Sequence, residues 1–493
     1  MKKTIVGLIE TGLKEYPKNP PFSPPMIYPE FPYADEIVDK NNLIYSSIRN
    51  LFIKLNLDNE NLDTPKWNPL GEFIRPGNSV VIKPNFVREA RTKESDIQSI
   101  VTNGSILRPI VDYCQIALKG YGKLVIADAP QFDADFEKIV KITGTYQLVK
   151  YINEVAPLKI DLLDLREERV EYRGNVIVNR FKLTGDPEGY TTVNLSKDSE
   201  FYQIGELCNQ IFGADYDIKE TRRHHNNNVH EYKISNTILH SDIFINVPKL
   251  KTHKNAGISV SLKNLIGING NKNYLPHFRF GPKSVGGDEF EGENFLKKLN
   301  SKFYNFLFKF MSNFRSGGTN LMRIPGAFYP NIKKVNIAKH QAGDWYGNDT
   351  IWRTILDINK ILFYADKQGR IQKDIQRKYL SIVDGVVAGE REGPLNPSSK
   401  SCGIIIGGFD PVIVDMTSSR IMGFDYRKIP QIAKSFELSR YTIGGATPQE
   451  ISIVSNSERW ATLWIRNENF EFEPHSGWKA TIEINRLDEN IYK

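Results

Sequence analysis

Cysteine is scarce. Cys114, Cys208 and Cys402 are the only three in 493 residues, far apart and never as Cys-x-x-Cys. That spacing excludes a disulfide framework, a four-thiolate zinc site and a self-contained iron-sulfur cluster, and it suits a reducing cytoplasm. No run approaches the roughly 18 apolar residues of a membrane span. The stretch Met1 to Glu10 is basic at its start but meets an acid too soon for a signal-peptide core, so neither export by that route nor a membrane span is expected. Also missing are Gly-x-x-x-x-Gly-Lys-Ser/Thr, a strand-linked Gly-x-Gly-x-x-Gly and a Gly-x-Ser-x-Gly elbow. The net charge of +7 comes from 65 basic and 58 acidic residues. Without a dense basic stripe that balance does not read as nucleic-acid binding.

The most informative stretch is Phe244 to Gly267. Asp242 to Val247 is an apolar, β-rich run stopped by Pro248, and Ile258 to Ile266 carries apolar residues at helical spacing before Gly267, a C-cap candidate. Between them a cationic loop holds Lys249, Lys251, His253 and Lys254. If that loop is extended, Lys249, Lys251 and His253 share one side near a helix N-terminus, an arrangement suited to phosphate or carboxylate; the alternative is a solvated basic loop.

Other acids and cations fall at predicted strand ends. Ser79 to Lys83 ends in Pro84-Asn85, Leu107 to Leu118 reads as a helix, and Lys123 to Asp128 is a second strand. This is a βαβ unit, and ligands of open α/β sheets collect beyond the carboxyl ends of their strands. Lys83, Asn85, Asp128, Lys249 and, after Leu380 to Val383, Asp384 all occupy such positions, with Glu390 in the following turn and Asp415 on a later helix. Lys159 to Asp164, Asn175 to Asn179 and Tyr190 to Leu195 alternate like antiparallel strands. His224 and His225 read as an exposed pair rather than a zinc site. The loop from Asn271 to Glu289 holds His277, Arg279, Asp288 and Glu289; it is either a clamp for a metal and phosphate pair or a surface turn.

Several of these segments resemble the family called domain of unknown function 362. They are Val81-Ile-Lys-Pro-Asn85, Pro248-Lys-Leu-Lys-Thr-His253 with Leu262-Lys-Asn-Leu-Ile-Gly267, Asp384-Gly with Glu392-Gly-Pro394, and Asp410-Pro-Val-Ile-Val-Asp415. Many relatives add cysteine clusters for iron-sulfur centres, which this chain lacks. Gly286-Gly-Asp-Glu289 and Trp345-Tyr-Gly-Asn-Asp-Thr350 look like members associated with surface-polysaccharide gene clusters, which implies a glycan-related substrate without naming a step.

The fold expected is α/β, a mainly parallel sheet flanked by helices, with a β-rich insertion and a helical insertion. The expected divisions are 1–78 (strand, Pro-rich extended arm and helix), 79–150 (first α/β half), 151–235 (β-rich insertion), 236–290 (central segment), 291–345 (helical insertion), 346–440 (second α/β half) and 441–493 (extension). The function expected is an enzyme of surface-glycan metabolism acting on a phosphorylated or carboxylated, lipid- or nucleotide-linked substrate. A noncatalytic glycan-assembly scaffold is the rival, and a redox protein is disfavoured. Lys83, Asn85, Lys249, Lys251, Lys263, Asn264, Arg279 and Arg353 would hold the substrate. His253 or His277 would move protons, with Asp384 and Glu390 as base or metal ligand. Asp128, Asp288, Glu289, Asp384 and Asp415 are the candidate ligands of Mg²⁺ or Mn²⁺. Phe295 to Arg315 has apolar positions at helical spacing opposite five cations. It would lie on the core, on a second subunit, or on the inner face of the membrane.

Overall fold

Alternation along the central strands decides the layering. A computed structural model describes residues 4–34, 36–90, 97–173, 176–213, 217–312, 342–464 and 468–484. Val80 and Ile82 join one apolar core while Val81 joins another; Leu124 and Ile126 part from Val125 in the same way, as do Ile243 and Ile245 from Phe244. A strand that is apolar on both faces must be covered on both, so the sheet is the middle layer of three. The helices Leu43–Lys54 and Gly104–Leu118 cover one face, and Ile351–Tyr364 and Pro411–Met422 the other.

The sheet contains β1 (Thr4–Glu10), β2 (Ser79–Pro84), β3 (Lys123–Asp128), β4 (Ile160–Asp164), β10 (Ile243–Val247), β14 (Lys378–Glu390), β15 (Ser398–Gly408) and β16 (Ile451–Ser455), in the order β16-β1-β15-β14-β10-β2-β3-β4. The run β14-β10-β2-β3-β4 is parallel throughout; β15 runs antiparallel to both of its neighbours. Two short strands, β11 (Lys249–His253) and β12 (Gly257–Ser259), form a hairpin attached to β14. Smaller pairs lie outside: β5 (Glu168–Arg173) with β6 (Val176–Lys182), β7 (Tyr190–Asn194) with β9 (Glu231–Ser235), and β8 (Ile211–Phe212) with β13 (Phe278–Arg279).

The mainly parallel α/β sheet is therefore as expected, with local corrections. β4 belongs to the central sheet, parallel to β3, and not to an antiparallel insertion. The cationic loop is strand β11, and the helix after it is a single turn, Ser261–Asn264, followed by a 3-10 turn. The Pro-rich arm packs on the helices behind the sheet: Glu30 pairs with Arg49 at 2.8 Å, and Pro21 accepts from Arg108 at 3.1 Å. His224 and His225 are buried. His224 lies between Glu231 and Glu220 at 2.7 and 3.2 Å, and His225 donates to the Tyr274 carbonyl at 2.9 Å. The amphipathic helix runs Phe295–Met311; the last residues of its expected span, 313–315, lie outside the described residues.

Candidate functional site

Beyond the carboxyl ends of β2 and β3, and against the β11–β12 hairpin, lies a cleft of about 290 Å³. Lys83, Asn85, Asp128, Lys251, His253, Lys263, Asn264, Lys272 and His277 line it, with Phe132, Tyr172, Phe212 and Phe278 forming an apolar wall. Register delivers the first group: β2 and β10 pair Lys83 with Asn246 and Pro84 with Val247, while β3 ends at Asp128. The 3-10 turn after Ser261–Asn264 closes the floor at Gly267.

An amide network sets the geometry. Lys251 Nζ donates to Asn85 Oδ1 at 3.0 Å and to the Ile100 carbonyl at 2.5 Å. Asn85 Nδ2 donates to Asn264 Oδ1 at 2.8 Å, and Asn264 Nδ2 to Asn246 Oδ1 at 2.7 Å. Asn85, Asn246 and Asn264 are buried, so a missing partner at any of them leaves an expensive orphan. Lys83 Nζ sits 2.7 Å from Asp128 Oδ1, and Asp128 Oδ2 accepts from the Phe86 amide at 2.7 Å.

Charge is unbalanced. Of the cleft's remaining ionic groups, Lys254 is paired with Asp344 at 3.1 Å and Asp133 with Arg88 at 2.8 Å. That leaves Lys83, Lys251, Lys263 and Lys272 facing Asp128. Among the described residues the Lys263 ammonium has no hydrogen-bond or ion-pair partner. Burial, followed by the Lys83 charge, lowers the Lys263 ammonium to about 8; burial lowers Lys272 to about 7. Lys251 is driven well down by burial and then by Lys263 and Lys249; Lys83 is lowered by burial against the pull of Asp128. Such a cluster sheds protons when empty and regains them beside an anion.

The two histidines take opposite tautomers, assigned from their partners. His253 Nδ1 accepts the amides of Asn255 and Ala256 at 3.1 and 3.2 Å, which puts the proton of its neutral ring on Nε2. His277 Nδ1 donates to the Leu275 carbonyl at 2.7 Å, leaving the Nε2 lone pair free to accept. Burial and then the Lys263 charge keep both rings neutral, His253 well below its usual range and His277 at about 4.

The other expected site residues lie elsewhere. Lys249 does not line the cleft; it is fully buried, and its Nζ reaches Asp384 Oδ2 at 3.1 Å and Tyr16 OH at 2.5 Å. β11 and β14 place Lys249 opposite Asp384, whose other oxygen accepts from Tyr16 at 2.5 Å. The pair is internal and neither base nor ligand is free. Glu390 is bound to Lys400 at 2.8 Å. Asp288 accepts from the Arg279 and Asp349 amides and from Thr350 Oγ1, and Glu289 from the Gly281 amide and Ser301 Oγ, so both acids staple a loop. Arg279 and Arg353 both clasp Asp349. Asp415 accepts the Ser261 and Leu262 amides at 2.6 and 3.1 Å, capping the turn that carries Lys263 and Asn264. The five carboxylates expected to share a divalent cation therefore do not converge, and among the described residues no three His, Cys, Asp or Glu side chains form a metal-holding group. Lys272 was not singled out from sequence; the only signal was its place in the polar Asn271-Lys-Asn273 run.

The family described as domain of unknown function (DUF362) has a model that matches residues 185–420. This stretch is thus similar to that family. It supplies Lys251, His253, Lys263, Asn264, Lys272 and His277, whereas Lys83, Asn85 and Asp128 precede it, so the cleft is built jointly by the DUF362 stretch and the chain before it. A crystal structure of a Thermotoga maritima protein aligns at 10% identity with a TM-score of 0.30, covering 79% of this chain and 59% of that one. The chain thus spans under two thirds of that protein, and the likeness is slight. No curated protein matches the chain.

Proposed function

We propose that the chain is an enzyme whose cleft binds the phosphate or carboxylate of its substrate and moves a proton on it. The observation that carries this reading is the surplus of ammonium groups in the cleft: the buried Lys83, Lys251 and Lys272 and the half-buried Lys263 are left with Asp128 as the one carboxylate of the lining not ion-paired outside it. A multivalent oxyanion is the partner that would restore their protons, since each ammonium would exchange a desolvation penalty for a charge-assisted hydrogen bond. Lys263 and Lys272 hold the anion, His253 donates through Nε2–H, and His277 accepts a proton at Nε2. The bound anion would raise the His277 pKa from about 4 toward a range where proton transfer at neutral pH is effective. The apolar wall accommodates an uncharged remainder. Resemblance to glycan-cluster members makes phosphorylated sugars the first substrates to try.

Inorganic pyrophosphate is the probe for binding. At about 100-fold excess over Kd it should raise unfolding free energy by roughly 2.7 kcal/mol, read as a shift in the urea midpoint. Lys263→Ala should remove the shift and leave the midpoint without ligand unchanged or higher, because it deletes an unpaired ammonium. Equal shifts in the two proteins would place the anion elsewhere. In a phosphosugar screen, His277→Asn should keep binding and lose turnover. If no phosphosugar is converted by the wild-type chain yet pyrophosphate still binds, the noncatalytic reading prevails.

A further inference from the structure

The helix Phe295–Met311 packs by one face only. Tyr304, Leu307 and Phe308 turn inward onto the aromatic walls of the cleft; Phe308 lies 5.5 Å from Phe212, and Leu307 and Phe308 pack against the cluster of Phe132, Val170 and Ile177. Outward stand Phe295, Leu296, Leu299, Phe303, Phe306 and Phe310, with Phe295 exposed by 74% and Phe306 by 70%. At about 100° per residue these six fall within one arc of roughly 100°, a continuous stripe and not scattered apolar side chains. Large apolar side chains left wet in this way mark a contact surface.

Two observations select the occupant. The first is charge. No acid lies between Phe295 and Met311, and the same angular count sets Lys298, Lys302 and Lys309 along one margin of the stripe. Lys298 is held by Glu293, but among the described residues Lys302 and Lys309 have no partner. An apolar stripe with free cations at its margin complements a surface that is apolar beneath and anionic above. The second is size. A helix of 17 residues is about 25 Å long, and one face about 10 Å wide offers roughly 250 Å². A standard protein interface takes about 800 Å² from each partner, so this stripe alone is too small to hold a stable dimer.

We propose that the outward face of Phe295–Met311 lies in the plane of an anionic lipid surface, with Lys302 and Lys309 at the headgroups and the phenylalanines below them. The inference rests on the helix alone and stands whether or not the cleft binds an anion. Because its inner face packs behind the aromatic residues that line the cleft, docking there would bring the cleft toward the bilayer.

The test is co-sedimentation of the full chain with phosphatidylcholine vesicles, with and without phosphatidylglycerol. Two free lysines, each giving about fivefold, should favour the anionic vesicles by roughly 30-fold. Added salt should erode that preference. Phe303→Glu with Phe306→Glu should abolish pelleting while the urea midpoint holds, since both side chains are outside the core. Lys263→Ala should pellet like wild type, which separates this surface from the cleft. Wild-type protein that ignores both vesicle types overturns the proposal, as does pelleting that survives the double variant. A concentration-dependent dimer that the double variant dissociates, without vesicle binding, would assign the face to a second copy and overturn it too.

Discussion

Gly267→Ala replaces a hydrogen by a methyl group at the floor of the cleft, and the structure says what that methyl carbon would strike. A Cβ built there lies 2.1 Å from Asp128 Oδ1, 2.7 Å from Lys83 Nζ and 2.9 Å from Lys83 Cε. Ordinary contact is roughly 3.4 Å or more, so the carboxylate would have to retreat by more than about 1 Å from the position in which it holds Lys83 at 2.7 Å. Both partners are almost fully buried, Lys83 at 1% and Asp128 at 3% exposure, so a retreat has to be made against packed neighbours or into the cleft they line. If the ion pair shifts as a unit, the cost is that of overpacking, about 1–3 kcal/mol. If it breaks, a buried charge is left uncompensated and the cost rises to about 3–5 kcal/mol. Equilibrium urea unfolding followed by tryptophan fluorescence reads the difference, with Gly445→Ala as control, since nothing lies within 4 Å of a Cβ at that position and its backbone is not left-handed. Pyrophosphate binding should fall with Gly267→Ala and hold in the control. A Gly267→Ala protein within about 0.5 kcal/mol of wild type, binding equally well, would refute the claim that close approach and not turn geometry demands glycine here.

Three further outcomes follow from buried charge. Asp384→Asn should lower stability by about 3–5 kcal/mol in urea unfolding by stranding Lys249, yet leave pyrophosphate affinity of the folded protein intact, because that pair lies outside the cleft. His230 is buried and held neutral down to about 4 by burial, whereas in the unfolded chain it charges below about 6.5; its contribution is therefore present at pH 7 and lost as pH falls from 6.5 to 4, and His230→Gln should flatten that part of the urea-midpoint profile. Bound pyrophosphate favours the charged forms of Lys272 and Lys263, which titrate at about 7 and 8; affinity should weaken as pH rises through that window, and calorimetry in buffers of different ionisation enthalpy should register proton uptake on binding.

What could be read in advance divides along a physical line. β2, β3 and β10 were legible because strands buried on both faces must be continuously apolar and β-branched, whatever packs on them. The gathering of Lys83, Lys251, Lys263 and His253 was legible because strand ends of a parallel sheet share one side. Which lysine is paired off was not. Lys249 and Lys251 are indistinguishable in sequence, and only the register of β11 against β14 sets the first opposite Asp384 while the second reaches Asn85. Gly267 looked like a helix stop, but its role is set by Asp128, 139 positions away in sequence. β4 alternates because it is the edge strand, and alternation alone does not distinguish an edge strand of the main sheet from an antiparallel hairpin. His224 and His225 looked solvated because Glu231 and the Tyr274 carbonyl come from other elements, while Glu220, one turn before His224 on the same helix, was overlooked.

The position of β10 bears on how the molecule can be divided. The DUF362 match begins after β2, β3 and β4, yet β10 hydrogen-bonds β2 on one side and β14 on the other. A fragment cut at residue 185 would keep β10 and β14 and strip away the neighbour, leaving five residues of buried backbone, Ile243 to Val247, as a bare apolar edge. Such an edge recruits strands from other chains. The matched sequence unit and the unit that completes the sheet are therefore different objects, and the seam between them passes through the middle of a sheet.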